Sequence, residues 1–244
     1  MKSLRRPAVY QGVTYPDYEI DFYTSRVYDV KKNKVLKGTH RLDSYVSVSF
    51  RLNSKIDKRG NFSPLIHGLL AETFYDLLSK SPLVSYYDLQ IGQGDRREIK
   101  TPTGFNFLYK MVCPDHIDGD PSNNHHSNLM IVTQFENQIK RGSYKGSCSI
   151  YKGIYGKSVN YRFKKGPRFK AWQVQIKFKS TLDENGKHFF SSKNFRTEEE
   201  AALRYNTMLG EALLTIWGPE LGLKMYDSAY KNVIKAPIQQ ELTL

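Results

Sequence analysis

Thiols are scarce in this chain. Cys113 and Cys148 are the only two cysteines among 244 residues, and no CxxC pair occurs. That excludes a zinc ribbon and a disulfide framework and points to a reducing, intracellular compartment. No apolar run approaches the length that spans a bilayer, and none follows Arg5-Arg6, so neither a membrane span nor a secretory signal is expected. Acidic residues are short as well: Lys+Arg number 37 against 24 Asp+Glu, a formal charge of +13. The deficit is concentrated, for there is no Asp or Glu from Asn137 to Leu182. A basic block that cannot neutralise itself favours a polyanion, and phosphate neutralisation with counterion release is its natural use. No repeat of fixed period is present.

Aromatics are plentiful, with 17 Tyr and 13 Phe. Residues 9–62 read as short strands and turns, and VSVSFRL (Val46 to Leu52) alternates like a half-buried strand. Ser63-Pro64 opens a helix whose apolar positions recur at helical spacing to Leu78, with Ser81-Pro82 as its end. Residues 83–108 are polar and turn-rich, an expected loop or hairpin insertion. A strand is expected to run into Asp115-His116. A long Asp/Asn/Gly/Pro turn follows, then the apolar strand Leu129 to Gln134, then a short helix stopped by Gly142. Residues 142–150 are Gly/Ser-rich, the composition of a linker.

The most informative stretch is Asp115-His116-Ile117-Asp118-Gly119-Asp120, with Asn123-Asn124, Ser127-Asn128-Leu129, Val132-Thr133 and Glu136-Asn137 behind it. Hydrolysis of a phosphodiester needs a base for the water and positive charge at the leaving oxygen. An imidazole, whose ordinary pKa lies near neutrality, suits the base. A carboxylate and an amide oxygen suit a hard divalent ion that keeps most of its waters. Taken singly, Asp115 reads as a cap, Asn123, Asn124 and Asn128 as turn formers, and His125 and His126 as solvated loop positions. His40 and His67 read as structural. The ordered combination is what overturns the bland reading.

That combination resembles the HNH nuclease family in its phage homing-endonuclease branch. The resemblance implies a ββα-metal fold, His116 as general base, Asp115 and Asn137 as ligands of one Mg²⁺ or Mn²⁺, and Asn128 as the Asn that orients the loop. It also implies 3′-hydroxyl and 5′-phosphate ends. The segment IHGLLAETF, with His67, is similar to a helix found upstream of the motif in those enzymes, and YEIDFYTSRVYDVKKNKVLKG to the small β module that opens many of them.

Farther on, AWQVQIKFK (Ala171 to Lys179) alternates strictly, with Trp172, Val174, Ile176 and Phe178 on one face and Gln173, Gln175, Lys177 and Lys179 on the other. Gln reads adenine edges and Lys reaches guanine or phosphate. Thr197-Glu198-Glu199-Glu200 is a helix capping signature, and Ala201, Ala202, Tyr205, Met208, Leu209 and Ala212 give that helix an apolar face. The elements KGIY, KAWQVQI, KHFFSSKNF and RTEEEAALRYN resemble the Apetala/ethylene-response-factor DNA-binding domain. That likeness implies a three-stranded antiparallel sheet, backed by one helix, in the major groove of double-stranded DNA, with contacts from Tyr155, Lys157, Lys170, Gln173, Gln175, Lys177 and Lys179.

The expectation is therefore an α+β chain with an N-terminal β module at 1–62 and an HNH nuclease domain at 63–142. A linker at 143–150, a DNA-reading domain at 151–219 and a tail at 220–244 follow. The expected activity is site-specific, metal-dependent DNA cleavage, with no protein partner implied. The competing readings are a non-catalytic DNA-binding regulator and an RNA-binding or structural basic protein. RNA is disfavoured because its deep, narrow major groove does not admit a sheet.

Overall fold

A computed structural model describes residues 2–51, 61–91, 97–109, 112–142, 149–158, 169–178, 181–182 and 188–234. The chain is mixed α/β and divides into two compact units, one of residues 1–97 and 109–137, the other of residues 98–108 and 138–244.

The first unit opens with an antiparallel sheet of β1 (Arg5–Tyr10), β2 (Val13–Asp21), β3 (Val27–Asp29) and β4 (Lys34–Val35). The expected strand over Val46 to Leu52 is not continuous. Val46–Ser47 pairs with Thr39–His40, while Phe50–Arg51 pairs with Asn61–Phe62, and Leu52 lies outside the described residues. Alternation still buries Val48 and Phe50, so the period is real although the strand changes partner midway.

Helix α1 (Ile66–Thr73) is shorter than its apolar spacing predicts. It stops where the Thr73 hydroxyl accepts from the Val9 N–H at 2.9 Å and the Thr73 carbonyl from Arg6 at 3.3 Å. The chain then turns to lay β5 (Ser79–Lys80) parallel to a strand of the next hairpin. Ser81-Pro82 thus begins a second helix, α2 (Pro82–Tyr86), instead of ending the first, because proline fits the first helical position.

The hairpin comprises β6 (Val112–His116) and β7 (Leu129–Thr133), in antiparallel register with Cys113 opposite Val132 and His116 opposite Leu129. β6 is a sheet edge, which is where Pro114 is tolerated, and β7 is central, with Leu129, Ile131, Val132 and Thr133 all buried. Helix α3 (Gln134–Lys140) follows β7 without a loop. Leu69, Leu70 and Phe74 are fully buried, and α1 packs on both β1 and β6. The N-terminal strands and the hairpin consequently share one core instead of forming separate modules at 1–62 and 63–142.

The second unit holds an antiparallel sheet of β8 (Ile154–Ser158), β9 (Phe169–Phe178) and β10 (His188–Phe195), packed on helix α4 (Glu198–Ser228). Thr197 caps α4 in the expected reciprocal box with Glu200. Ala201, Ala202, Tyr205, Met208, Leu209 and Ala212 are all buried. The helix does not end near Pro219. It kinks at Gly218 (φ 75°), and Pro219 starts a further helical stretch to Ser228, within what the sequence presents as an unorganised tail. Part of the expected insertion, residues 98–108, belongs to this unit. Its Phe107 is fully buried edge-to-face against Trp217 at 4.8 Å, and Asn106-Phe107 pairs with Thr181-Leu182.

Candidate active site

β6 delivers Asp115 and His116 at its end, and the turn beginning at Ile117 carries the chain away. Asp115 is half-buried opposite Met130. His116 is only 8% exposed. Its Nε2 lies 3.3 Å from the Asn124 side-chain oxygen, and its ring stands edge-to-face with His67 at 5.2 Å (88°) and tilted on Tyr45 at 5.9 Å.

Asn128 braces the turn from the far side. Its amide donates to the Asp118 carboxylate and to the Asn123 carbonyl, both at 2.9 Å, and its side-chain oxygen accepts from the Asp118 N–H at 3.0 Å. Its carbonyl accepts from the Ile117 N–H at 2.9 Å, so the residue after His116 is held to Asn128 directly. Gly119, at φ 77°, closes the turn by donating its N–H to the His116 carbonyl at 3.0 Å, a left-handed position that suits glycine. Asp118 accepts from the Asp120 N–H and from the amides of Asn123 and Asn128, and these bonds hold its carboxyl below the usual carboxylate range. This loop is a web of neutral and charge-assisted bonds with the His116 peptide at its root.

Asn137 stands half-buried one turn into α3. The start of that helix is fixed by Glu136, 1% exposed. Its carboxylate accepts from Ser81 Oγ at 2.5 Å, the Leu83 N–H at 2.8 Å, the Thr133 N–H at 3.1 Å and Thr133 Oγ1 at 2.9 Å, and Thr133 Oγ1 in return accepts from the Glu136 N–H at 3.2 Å. That is a capping box with three further donors, two of them from Ser81 and Leu83, which join the starts of α2 and α3. Its sequence signal, Thr133-x-x-Glu136, was available but does not announce the partners from Ser81 and Leu83.

Three side chains at the site escaped the sequence reading. Asn124 passes for a turn former, yet it is the hydrogen-bond partner of the His116 ring. Tyr45 comes from a distant hairpin. His67, read as structural, faces His116, and burial, reinforced by His116 and opposed by Asp43, pushes its imidazole down to about 4. His67 is therefore neutral at physiological pH. Its signal was the helix IHGLLAETF. His126 is not solvated as expected. It packs on Phe22 at 4.5 Å and Tyr23 at 5.3 Å, because the loop folds back on the N-terminal sheet, while His125 stays exposed and bonds Ser127 at 2.7 Å.

Residues 108–139 match the HNH endonuclease family. The matched span holds β6, the Asn128-braced turn, β7 and nearly all of α3, with Asp115, His116, Asn128 and Asn137 inside it. No curated protein matches the chain. A solved structure described as "DNA binding and cleavage by the HNH homing endonuclease I-HmuI" aligns at 20% identity and a TM-score of 0.35, over 55% of this chain and 56% of that one.

Of the residues expected to meet DNA, Gln173 and Gln175 lie on β9, half-buried, alternating with buried Val174 and Ile176. Tyr155 is in register with Gln173, Lys157 with Ala171 and Lys177 with Phe189, and Lys170 lies near the start of β9. Lys179 lies outside the described residues. Gly153 (φ 72°) leads into β8 where any side chain would collide with Tyr205, its Cβ only 2.3 Å from that ring. No helix among the described residues is long and apolar enough to cross a membrane. Among them no cluster of three or more His, Cys, Asp or Glu could hold a metal. The candidate ligands are instead one carboxylate and one amide, Asp115 and Asn137.

Proposed function

We propose that this chain is a metal-dependent, site-specific endonuclease acting on double-stranded DNA, with His116 as general base. The observation that carries the reading is the match of residues 108–139 to the HNH endonuclease family on a strand–turn–strand–helix unit that buries His116 at the root of an Asn128-braced turn. His116 accepts a proton from a water, the resulting hydroxide attacks phosphorus, the bond to the 3′ oxygen breaks, and the departing alkoxide takes a proton from solvent water, leaving 3′-hydroxyl and 5′-phosphate ends. Asn128 keeps the His116 peptide still during that transfer, which lowers the cost of reaching an in-line geometry.

Asp115 and Asn137 offer only oxygen donors, a set that fits a hard ion such as Mg²⁺ or Mn²⁺. When bound there, such an ion supplies positive charge for the departing alkoxide. The basic block from Asn137 to Leu182 supplies phosphate attraction. The β8–β9–β10 sheet, backed by α4, is proposed as an Apetala/ethylene-response-factor-like reading surface, and Tyr155, Lys157, Lys170, Gln173, Gln175, Lys177 and Lys179 are the residues proposed to contact DNA.

Conversion of supercoiled plasmid to nicked or linear forms tests the reading. Cutting is expected with Mg²⁺ and lost with EDTA, with retarded DNA in a gel shift under both conditions. Retardation without cutting in any divalent ion assigns the chain instead to DNA-binding regulators.

A further inference from the structure

The sequence treats the consecutive Asn123-Asn124 as turn formers, but the structure separates them. Asn123 is exposed and serves the loop, whereas Asn124 is 8% exposed and points its side-chain oxygen at the His116 ring. The orientation of that amide is set by its other bonds. Its Nδ2 donates to the Ser122 carbonyl at 3.2 Å, and its backbone carbonyl accepts from Ser25 Oγ at 2.6 Å, which pins the peptide. Turning the amide over would bring its oxygen against the Ser122 carbonyl, two acceptors face to face, and forfeit that bond.

With an oxygen toward it, Nε2 has to be the ring nitrogen that carries the hydrogen, and the lone pair of neutral His116 is then on Nδ1. No other side-chain hydrogen bond is made by this ring among the described residues. His67 and Tyr45 pack against the ring and leave it little freedom to rotate.

We propose that Asn124 is a positioning residue for the cleavage reaction: it fixes His116 as the Nε2–H tautomer and presents Nδ1 to the attacking water. The proposal rests on the reading of His116 as the general base. The proton leaves water for Nδ1, the Nε2–H stays on the Asn124 oxygen throughout, and that bond strengthens as the ring becomes cationic. Its present 3.3 Å is long for an N–H···O bond, and contacts of this kind shorten when substrate closes the site. Two asparagines thus divide the work, Asn128 holding the His116 peptide and Asn124 the His116 ring.

The test is the pair of ring-nitrogen resonances of His116 in the ¹⁵N-labelled full chain, assigned with His116→Ala and recorded above the titration of the ring. The parent protein is expected to show a protonated Nε2 and an unprotonated Nδ1. In Asn124→Leu both resonances move toward the average of two interconverting tautomers. Single-turnover cleavage of supercoiled plasmid then falls about ten- to a hundredfold, with plasmid affinity held within about twofold. Asn124→Asp keeps an acceptor toward Nε2 but sets its second oxygen against the Ser122 carbonyl, so it restores the resonances and only part of the rate. A parent spectrum with the proton on Nδ1 overturns the proposal, even if Asn124→Leu fails to fold, and so does an Asn124→Leu protein unchanged in both resonances and rate. If His116→Ala cleaves like the parent, the general-base reading fails instead, while the resonances still decide the tautomer.

Discussion

Glu136 gives the sharpest quantitative handle on the site's architecture. Its buried carboxylate receives one N–H on Oε1, from Leu83, and three donors on Oε2, from Ser81 and from the backbone and side chain of Thr133. Replacing Glu136 with Gln leaves one oxygen for four donors. The less costly rotamer keeps that oxygen on the three-donor side and turns the new NH₂ toward the Leu83 N–H. One charge-assisted bond, worth about 1.5–3 kcal/mol, is lost and two donors are opposed, for a total of about 2–4 kcal/mol. Glu136→Ala orphans every donor and is expected to cost about 4 kcal/mol or more, a large part of the about 5–15 kcal/mol that holds a typical domain together. Urea denaturation followed by far-UV circular dichroism measures the total, and hydrogen exchange at the Leu83 and Thr133 amides localises it. A Glu136→Gln protein within about 0.5 kcal/mol of the parent, with both amides equally protected, would refute the reasoning.

Other perturbations are expected to act as follows. Because the His67 imidazole is pushed down to about 4 from its ordinary 6.5, the unfolded chain binds more protons than the folded one between those values. Stability should therefore fall as pH drops through that window, by up to about 3 kcal/mol, and denaturation midpoints of His67→Phe should fall less steeply. Asn128→Ala removes all three side-chain bonds of the brace and should lower cleavage about ten- to a hundredfold while plasmid affinity holds. In Gly222→Ala the new Cβ would lie 2.7 Å from the Leu213 carbonyl oxygen, backbone that cannot step aside, so a loss of about 1–3 kcal/mol is expected in thermal or urea unfolding. DNA affinity should decline steeply and linearly on a log–log plot against salt, and a shallow slope would remove the basic block from the docking surface.

The sequence speaks clearly where order along the chain and order in space coincide. β6, its turn, β7 and α3 are consecutive and locally patterned, so Asp115, His116, Asn128 and Asn137 could be singled out together, with their proposed roles implied by the resemblance to the HNH family. The alternation of Val174, Ile176 and Phe178 likewise yields β9, and the Thr197 box the start of α4. It is silent where a distant partner decides. α1 ends at Thr73 because Val9 and Arg6 claim it, although the apolar period runs on to Leu78. The strand after Val46 breaks because Phe50 has its partner at Phe62. Nothing local tells Phe107 that it meets Trp217, or turns Gly218-Pro219 from an ending into a kink. The surroundings of His116 follow the same rule. Asn124 is eight residues away and was visible only as a turn former, whereas Tyr45 and His67 reach the ring from a separate hairpin and helix.

The central claim is that a proton passes from water to the imidazole of His116. Single-turnover cleavage of supercoiled plasmid by His116→Ala, with plasmid affinity measured on the same protein, tests it most directly. The account predicts a rate lower by about two to four orders of magnitude with unchanged affinity. A His116→Ala protein that cuts at the parent rate would contradict it.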